Sequence, residues 1–403
     1  MRIHLHCPIN PTGVGTHAQY LVNELCKLEA EVGPENISVE VFPRGTVMYS
    51  TRKDVSERVA KKLVTQRSIN PDLIVILDVP QVCVRTASQI PPGPRVVAYT
   101  VFEQPFEDNP LDGPRPFAEA WTPSDWGSNH LARWLPTKVV PEGVEALRQC
   151  PIKKERRSKD IPSIISIGKF ERRKGQDILL DILPDWHEHI RLYAFWDNPW
   201  APKKCFDYLT ANGWKLDYGY QETGIGGQPW VKGKAVVLLK DRKPDQDAVF
   251  EVARACDMAV FPHRGEGWGL PILECIAMGL PTAATLSTGA HGYLSTYRQQ
   301  MLDELLGDPV MEPHVTERAW DPPFFTGDFN WSGPVREDVE QRIKNWTQPD
   351  RDGVGDNEAV QAVLNEIGWR MAGTYSWSRS ALAFCKAAAE CIESRGWPIN
   401  GVR

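Results

Sequence analysis

The sequence predicts an α/β fold built from two doubly wound domains, and three observations carry that prediction. Short apolar runs with strand character alternate with helical periodicity through the first half of the chain. A charged run at 152–159 (IKKERRSK) interrupts the alternation, which then restarts. The 403 residues also exceed the roughly 250–300 at which a single hydrophobic core stops growing.

In chain order, 2–7 is a short apolar strand, followed by the loop 8–15 (PINPTGVG) and a helical pattern from 14 to about 29. Strand, glycine turn and helix make the opening step of a Rossmann-like domain. Gly13 and Gly15 fall short of a full G-x-G-x-x-G, and no ribose-binding acid follows at the right distance. Two readings of these glycines stand: a tight turn needing positive φ, or a ligand loop. Strands follow at 37–42, 72–77 (DLIVIL), 95–101 (RVVAYTV), 118–122 and 138–140, with helices at 54–65 and 125–135. Ser124 is placed to cap the second of these helices. The run 152–159 reads as a solvated linker rather than a phosphate-attracting patch.

The predicted organisation is therefore a first domain over 1–150, a linker over 151–160 and a second domain over 161–375. A C-terminal helix over 376–403 has the first domain as its expected packing partner. The second domain opens with a strand at 163–167 (SIISI), the turn 168–175 (GKFERRKG) and a helix over 176–186. Strands at 190–195 and 235–239 flank an irregular Gly-, Pro- and Trp-rich segment, 197–230, with a helix near 205–212. A helix at 245–255 leads to a strand at 257–262 (DMAVFP), and a further strand lies at 281–285. The segment 307–333 looks like an excursion without periodicity, before helices at 337–346, 357–372 and 376–392.

Bulk properties narrow the function classes. A net charge of −6 argues against a dominant nucleic-acid-binding face. Nine cysteines without a C-x-x-C pair read as reduced thiols. With no signal peptide and no spanning apolar run, the expectation is a cytoplasmic protein, for which peripheral membrane contact stays open. No metal site is expected. Asp245 and Asp247 form an Asp-x-Asp directly before a helical pattern, and helix capping explains them better; the histidines lack ligand spacing. Among fifteen tryptophans, Trp196, Trp200, Trp214, Trp230, Trp268 and Trp331 fall in expected loops, where a ring could contact a sugar. Core packing is the commoner role for such residues.

The stretch 263–281 (HRGEGWGLPILECIAMGLP) is the most informative. It follows a buried strand, turns through Gly265, Gly267 and Gly269, and enters an apolar helix at Pro271, whose missing N–H suits a first turn. Glu266 belongs to the loop and Glu274, eight positions on, to the helix. Strand, glycine turn and helix N-terminus make an anion site at the carboxyl end of a parallel strand.

That stretch, the turn GKFERRKG, the phrase VVPEGVE (139–145) and YSWSRSALAF (375–384) together resemble the retaining glycosyltransferases of GT-B fold, most closely glycosyltransferase family 4, the glycosyltransferase group 1 proteins. The resemblance covers the second half well and the first more loosely. It implies two Rossmann-like domains facing each other across a cleft, and transfer of a hexose from a UDP-, GDP- or ADP-linked sugar to a hydroxyl acceptor, without a cofactor. In the motif's setting, Lys169 and Lys174, with Arg172 and Arg173 as alternates, would address the donor diphosphate; Lys169 stands where the family usually has arginine and keeps the charge but not the fork. Glu274 would accept from the ribose hydroxyls, Glu266 would serve the hexose, and backbone around Gly267, Trp268, Gly269 and Leu270 would face phosphate or sugar. Many members carry Thr-x-His after the strand equivalent to 95–101. Here the run is AYTVFEQ with Glu103 near that position, as in a similar YTxFE subgroup. The acceptor is expected at the first domain, around 10–17, including Gly13, Gly15 and His17, and around 103–109. Competing readings are a non-catalytic nucleotide-sugar binder, a GT-B phosphorylase or epimerase, and a glycosyltransferase acting on modified DNA.

Overall fold

The computed structural model describes residues 1–49, 51–64, 70–145, 161–186, 188–220, 227–240, 246–322, 325–347 and 358–394. The predicted linker 151–160 and Asp245 lie outside them. The chain forms two compact units, Met1–Gly143 with Tyr375–Arg403, and Val144–Thr374.

In the first unit, β1 (Arg2–Pro8), β2 (Ser38–Arg44), β3 (Leu73–Asp78), β4 (Arg95–Thr100), β5 (Glu119–Thr122) and β6 (Thr137–Val139) form one sheet of order β2-β1-β3-β4-β5-β6. Every pairing is parallel. The connecting helices are α1 (Gly13–Val32), α2 (Lys53–Ala60), α3 (Pro80–Ala87) and α4 (Asp125–Leu131). Strand β3 is buried along Leu73–Leu77, as a parallel strand covered on both faces must be. Ser124 caps α4, its Oγ accepting from Gly127 N–H at 3.2 Å.

The second unit repeats the plan. Its sheet contains β7 (Ser163–Lys169), β8 (Ile190–Asp197), β9 (Lys215–Leu216), β10 (Gln228–Lys232), β11 (Ala235–Leu239), β12 (Met258–Phe261), β13 (Thr282–Thr285) and β14 (Val310–Met311). Their order is β14-β13-β12-β7-β8-β11-β10-β9. The first six in that order pair in parallel, while β10 and β9 close one edge antiparallel. A separate hairpin joins β15 (Val315–Asp321) to β16 (Phe325–Gly333). The helices are α5 (Gln176–Ile182), α6 (Lys204–Ala211), α7 (Gln246–Ala255), α8 (Leu270–Ala277), α9 (His291–Asp303), α10 (Arg336–Thr347) and α11 (Glu358–Thr374). The strand order reverses at β7, the point at which doubly wound sheets open a crevice beyond their carboxyl ends.

The last helix, α12 (Trp377–Glu393), belongs to the first unit. Trp377 stacks on Tyr20 of α1 at 5.4 Å, and Ser378 Oγ donates to Glu24 Oε2 at 3.0 Å.

Three expectations are corrected. The segment 307–333 is not irregular, since it carries β14 and the β15–β16 hairpin. The segment 197–230 supplies β9 and β10 as well as a helix. Of the six tryptophans placed in loops, Trp196, Trp230 and Trp331 lie in strands, and the core-packing role favoured for most of the six holds: all but Trp200 are 7% exposed or less, and Trp200 is open, at 62%. Large flat rings gain most by burial, and Trp331 does so against Ala319 and Phe325 of its own hairpin. No described helix is long and apolar enough to cross a membrane.

Candidate functional site

Strands β7 and β12 are parallel neighbours, so the loops after them leave the same edge of the sheet. After β7 the chain makes a single 3₁₀ turn, Arg172–Lys174, and enters α5 through Gly175 at φ 71°. A Cβ on Gly175 would lie 1.8 Å from the carbonyl oxygen of Pro262, just after β12, so no larger residue fits there. The two loops are also joined by Arg264 N–H donating to Arg173 O at 2.7 Å. On its far side the β12 loop meets 288–289: Glu266 N–H donates to Thr288 Oγ1 at 2.7 Å and Gly289 N–H to Glu266 O at 2.8 Å. Gly269, at φ 92°, then starts α8 without a side-chain cap, with Pro271 in the first turn.

These loops bring together a row of alternating charges. Lys169 Nζ lies 3.0 Å from Glu171, whose other oxygen takes Arg173 Nη2 at 3.0 Å. Arg173 Nη1 reaches Glu266 Oε2 at 3.3 Å and Gly265 O at 2.7 Å, and Lys174 Nζ pairs with Glu266 Oε1. Three cations face two carboxylates, leaving one net positive charge. Burial would raise the Glu266 carboxyl, but Lys174 and Arg173 outweigh it and hold it at about 2. Burial lowers Lys174, against the pull of Glu266. Neighbouring His263 is pushed down to about 4 by burial, so its imidazole is neutral at pH 7.

The sequence-predicted residues therefore divide. Lys169, Lys174, Arg173 and Glu266 meet in one cluster, with Gly267, Trp268, Gly269 and Leu270 in the adjoining loop and helix start. Arg173, 2% exposed, is a strut beneath the cluster, whereas the side chains of Lys169 and Lys174 keep 28% and 15% of their surface. Trp268 packs on Tyr293 at 5.2 Å, and Glu274 lies half-buried in the second turn of α8.

In the first unit, Thr12 caps α1 by accepting from Gly15 N–H at 3.1 Å. Neither Gly13 nor Gly15 needs positive φ; Gly15 is required instead because a Cβ would lie 2.3 Å from Asn10 O. His17 is fully buried, 3.3 Å from Glu142 and between the rings of Tyr99 and Trp377, in the core rather than on the loop. Glu103 lies half-buried in the loop after β4, which is held where His130 Nε2 accepts from Phe106 N–H at 2.7 Å.

Sequence reasoning missed Glu171, Thr288, His130 and Arg264. Glu171 had a signal, since it alternates with the cations of GKFERRKG; Thr288 had none, because it is brought in from after β13. Among the described residues no group of three or more His, Cys, Asp or Glu side chains converges as a metal site would.

Comparison with known proteins fits this geometry. Residues 161–302 match the family described as Glycosyl transferases group 1. Mannosylfructose-phosphate synthase of Agrobacterium fabrum is 26% identical over 170 residues, covering 39% of this chain and 34% of that protein. The match thus spans about a third of that relative's length. Among solved structures, sucrose-phosphate synthase of Thermosynechococcus elongatus superposes with a TM-score of 0.61 at 13% identity, over 98% of this chain and 100% of that one. Anabaena HepE in complex with UDP-glucose gives 0.59 at 12% identity, over 97% and 100%. Similarity of this kind establishes the fold, which is GT-B, with two Rossmann-like domains.

Proposed function

We propose that the protein is a retaining glycosyltransferase that moves a hexose from a nucleotide-sugar donor to an acceptor hydroxyl. The observation that carries this reading is the Lys174–Glu266–Arg173 cluster, set at the carboxyl ends of β7 and β12 where the sheet order reverses. A sugar nucleotide develops negative charge on its diphosphate as the glycosidic bond breaks. Fixed cations there stabilise the transition state more than the ground state. Lys169 and Lys174 are the partly exposed cations suited to that task. Backbone N–H groups at Trp268, Gly269 and Leu270 add the positive end of α8, with Glu274 toward the ribose and Glu266 toward the hexose. The leaving phosphate oxygen takes the acceptor's proton on the same face of the sugar, so no carboxylate nucleophile is required. Glu103 is the candidate to orient the acceptor hydroxyl.

The HepE complex makes UDP-glucose the first donor to try, and the similarity to a sugar-phosphate synthase adds a sugar phosphate to glycans and lipid-linked sugars as acceptor classes. A thermal-shift panel of UDP-, GDP- and ADP-sugars tests donor binding, because a ligand held by the folded state alone must raise its melting temperature. At 100 times Kd the gain is about 2.7 kcal/mol. No shift with any member would sink the reading.

A further inference from the structure

Arg264 has no role in the assignments above, yet it ties together the two loops that carry the charge cluster. It is 7% exposed. Its Nη1 and Nη2 grip both oxygens of Asp177, in the first turn of α5, at 2.8 Å each. Nη1 also donates to Arg172 O at 2.5 Å, and Nε pairs with Glu317 of β15. Together with its backbone bond to Arg173 O, this one residue anchors the β12 loop to the turn bearing Arg173 and Lys174, to α5 and to the hairpin.

The hairpin is shaped for the purpose. Glu317 additionally takes Arg172 Nη2 at 2.7 Å, and Asp321 accepts from Arg172 N–H at 2.8 Å while pairing with Lys204. The last residue of β16 is Gly333, where a Cβ would stand 2.9 Å from Arg264 Cγ. The hairpin thus clears space for the arginine stem and supplies a carboxylate to its head.

We infer that Arg264 is a positioning residue for the anion clamp, and that the β15–β16 hairpin, through Glu317, is the brace that holds it. The inference rests on the donor-site reading and extends it to an element outside the glycine-rich motif. The guanidinium nitrogens of Arg264 are engaged by Asp177, Arg172 O and Glu317. Arg264 sets the separation between the backbone carrying Lys174 and the backbone carrying Glu266. A planar fork with several fixed donors does this where a lysine's point charge does not.

The test is calorimetric titration of wild type, Arg264→Gln, Arg264→Lys and Glu317→Gln with UDP, GDP and ADP and with the matching monophosphates, well below each melting temperature. The expected result is a loss of roughly 10-fold or more in diphosphate affinity for Arg264→Gln, with a much smaller loss for the monophosphate. Arg264→Lys should recover little of it. Glu317→Gln keeps the arginine and removes the carboxylate charge that braces it and Arg172, so it should shift the same ratio in the same direction and serves if Arg264→Gln does not fold. An unchanged diphosphate-to-monophosphate ratio in the folded variants would overturn the inference, even with a lowered melting temperature. A wild type that binds none of the three diphosphates would instead overturn the donor-site reading beneath it.

Discussion

Glu266 pairs with both Arg173 and Lys174, and that arrangement has consequences for binding, turnover and acid stability. In Glu266→Gln the carboxylate charge is lost but the shape is kept, so Lys174 is freed to face a diphosphate. Nucleoside diphosphate affinity should hold or tighten while turnover falls by roughly 100-fold or more, a split that titration and rate measurements read separately. Stability against pH tests the same electrostatics. His263 has its pKa depressed from 6.5 to about 4, so the unfolded chain binds the extra proton. Its contribution is complete above pH 6.5 and drains as the pH falls toward 4. Glu266, depressed from 4.5 to about 2, adds a second loss that runs from pH 4.5 down to 2. His263→Leu should therefore flatten the melting temperature between pH 6.5 and 4 and leave the lower limb intact. An unchanged upper limb would show that the imidazole is charged in the folded state.

At the scale of elements, the strand–turn–helix steps were legible because their physics is local. In β7, the glycines before α8 and Pro271, each signal lies within a few residues of the feature it sets. The hairpin was not legible, and β15 shows why. Its inward residues are Glu317, Ala319 and Asp321, so the apolar alternation expected of a half-buried strand is missing. Their partners Arg172, Arg264 and Lys204 come from up to 149 positions away. His17 failed for the opposite reason: a histidine next to a glycine loop reads as a ligand, and only the fold brings Glu142 and Trp377 to it. Two substitutions probe elements directly. Gly175→Ala combines positive φ with a clash against Pro262 O and should cost about 2–4 kcal/mol in urea unfolding, with donor binding lost alongside. Trp377→Ala removes a ring 4% exposed and should cost about 3–5 kcal/mol, by detaching α12 from α1. A cost below about 1 kcal/mol for either would mean the local packing is not what holds these elements.

Both units follow one plan, a wholly or mainly parallel sheet with a glycine-bearing turn at the carboxyl end of its first strand. They differ in what that turn carries. In the first unit it holds Asn10, Thr12 and Gly15 in a neutral cap; in the second it holds Lys169, Arg173 and Lys174 against Glu171 and Glu266. The repeated alternation announced the plan, and charge alone distinguished the halves, which is why the charge cluster of the second unit was readable in the sequence. The central claim is that the cluster in the second unit drives transfer from a nucleotide sugar. Its most direct test is release of nucleoside diphosphate from UDP-glucose, and then from GDP- and ADP-linked sugars, by wild type and Glu266→Gln side by side. The account predicts release by the wild type with one donor class and a rate lower by roughly 100-fold or more in the variant. Equal rates in the two proteins, or no release with any donor across glycan, lipid-linked and sugar-phosphate acceptors, would contradict it.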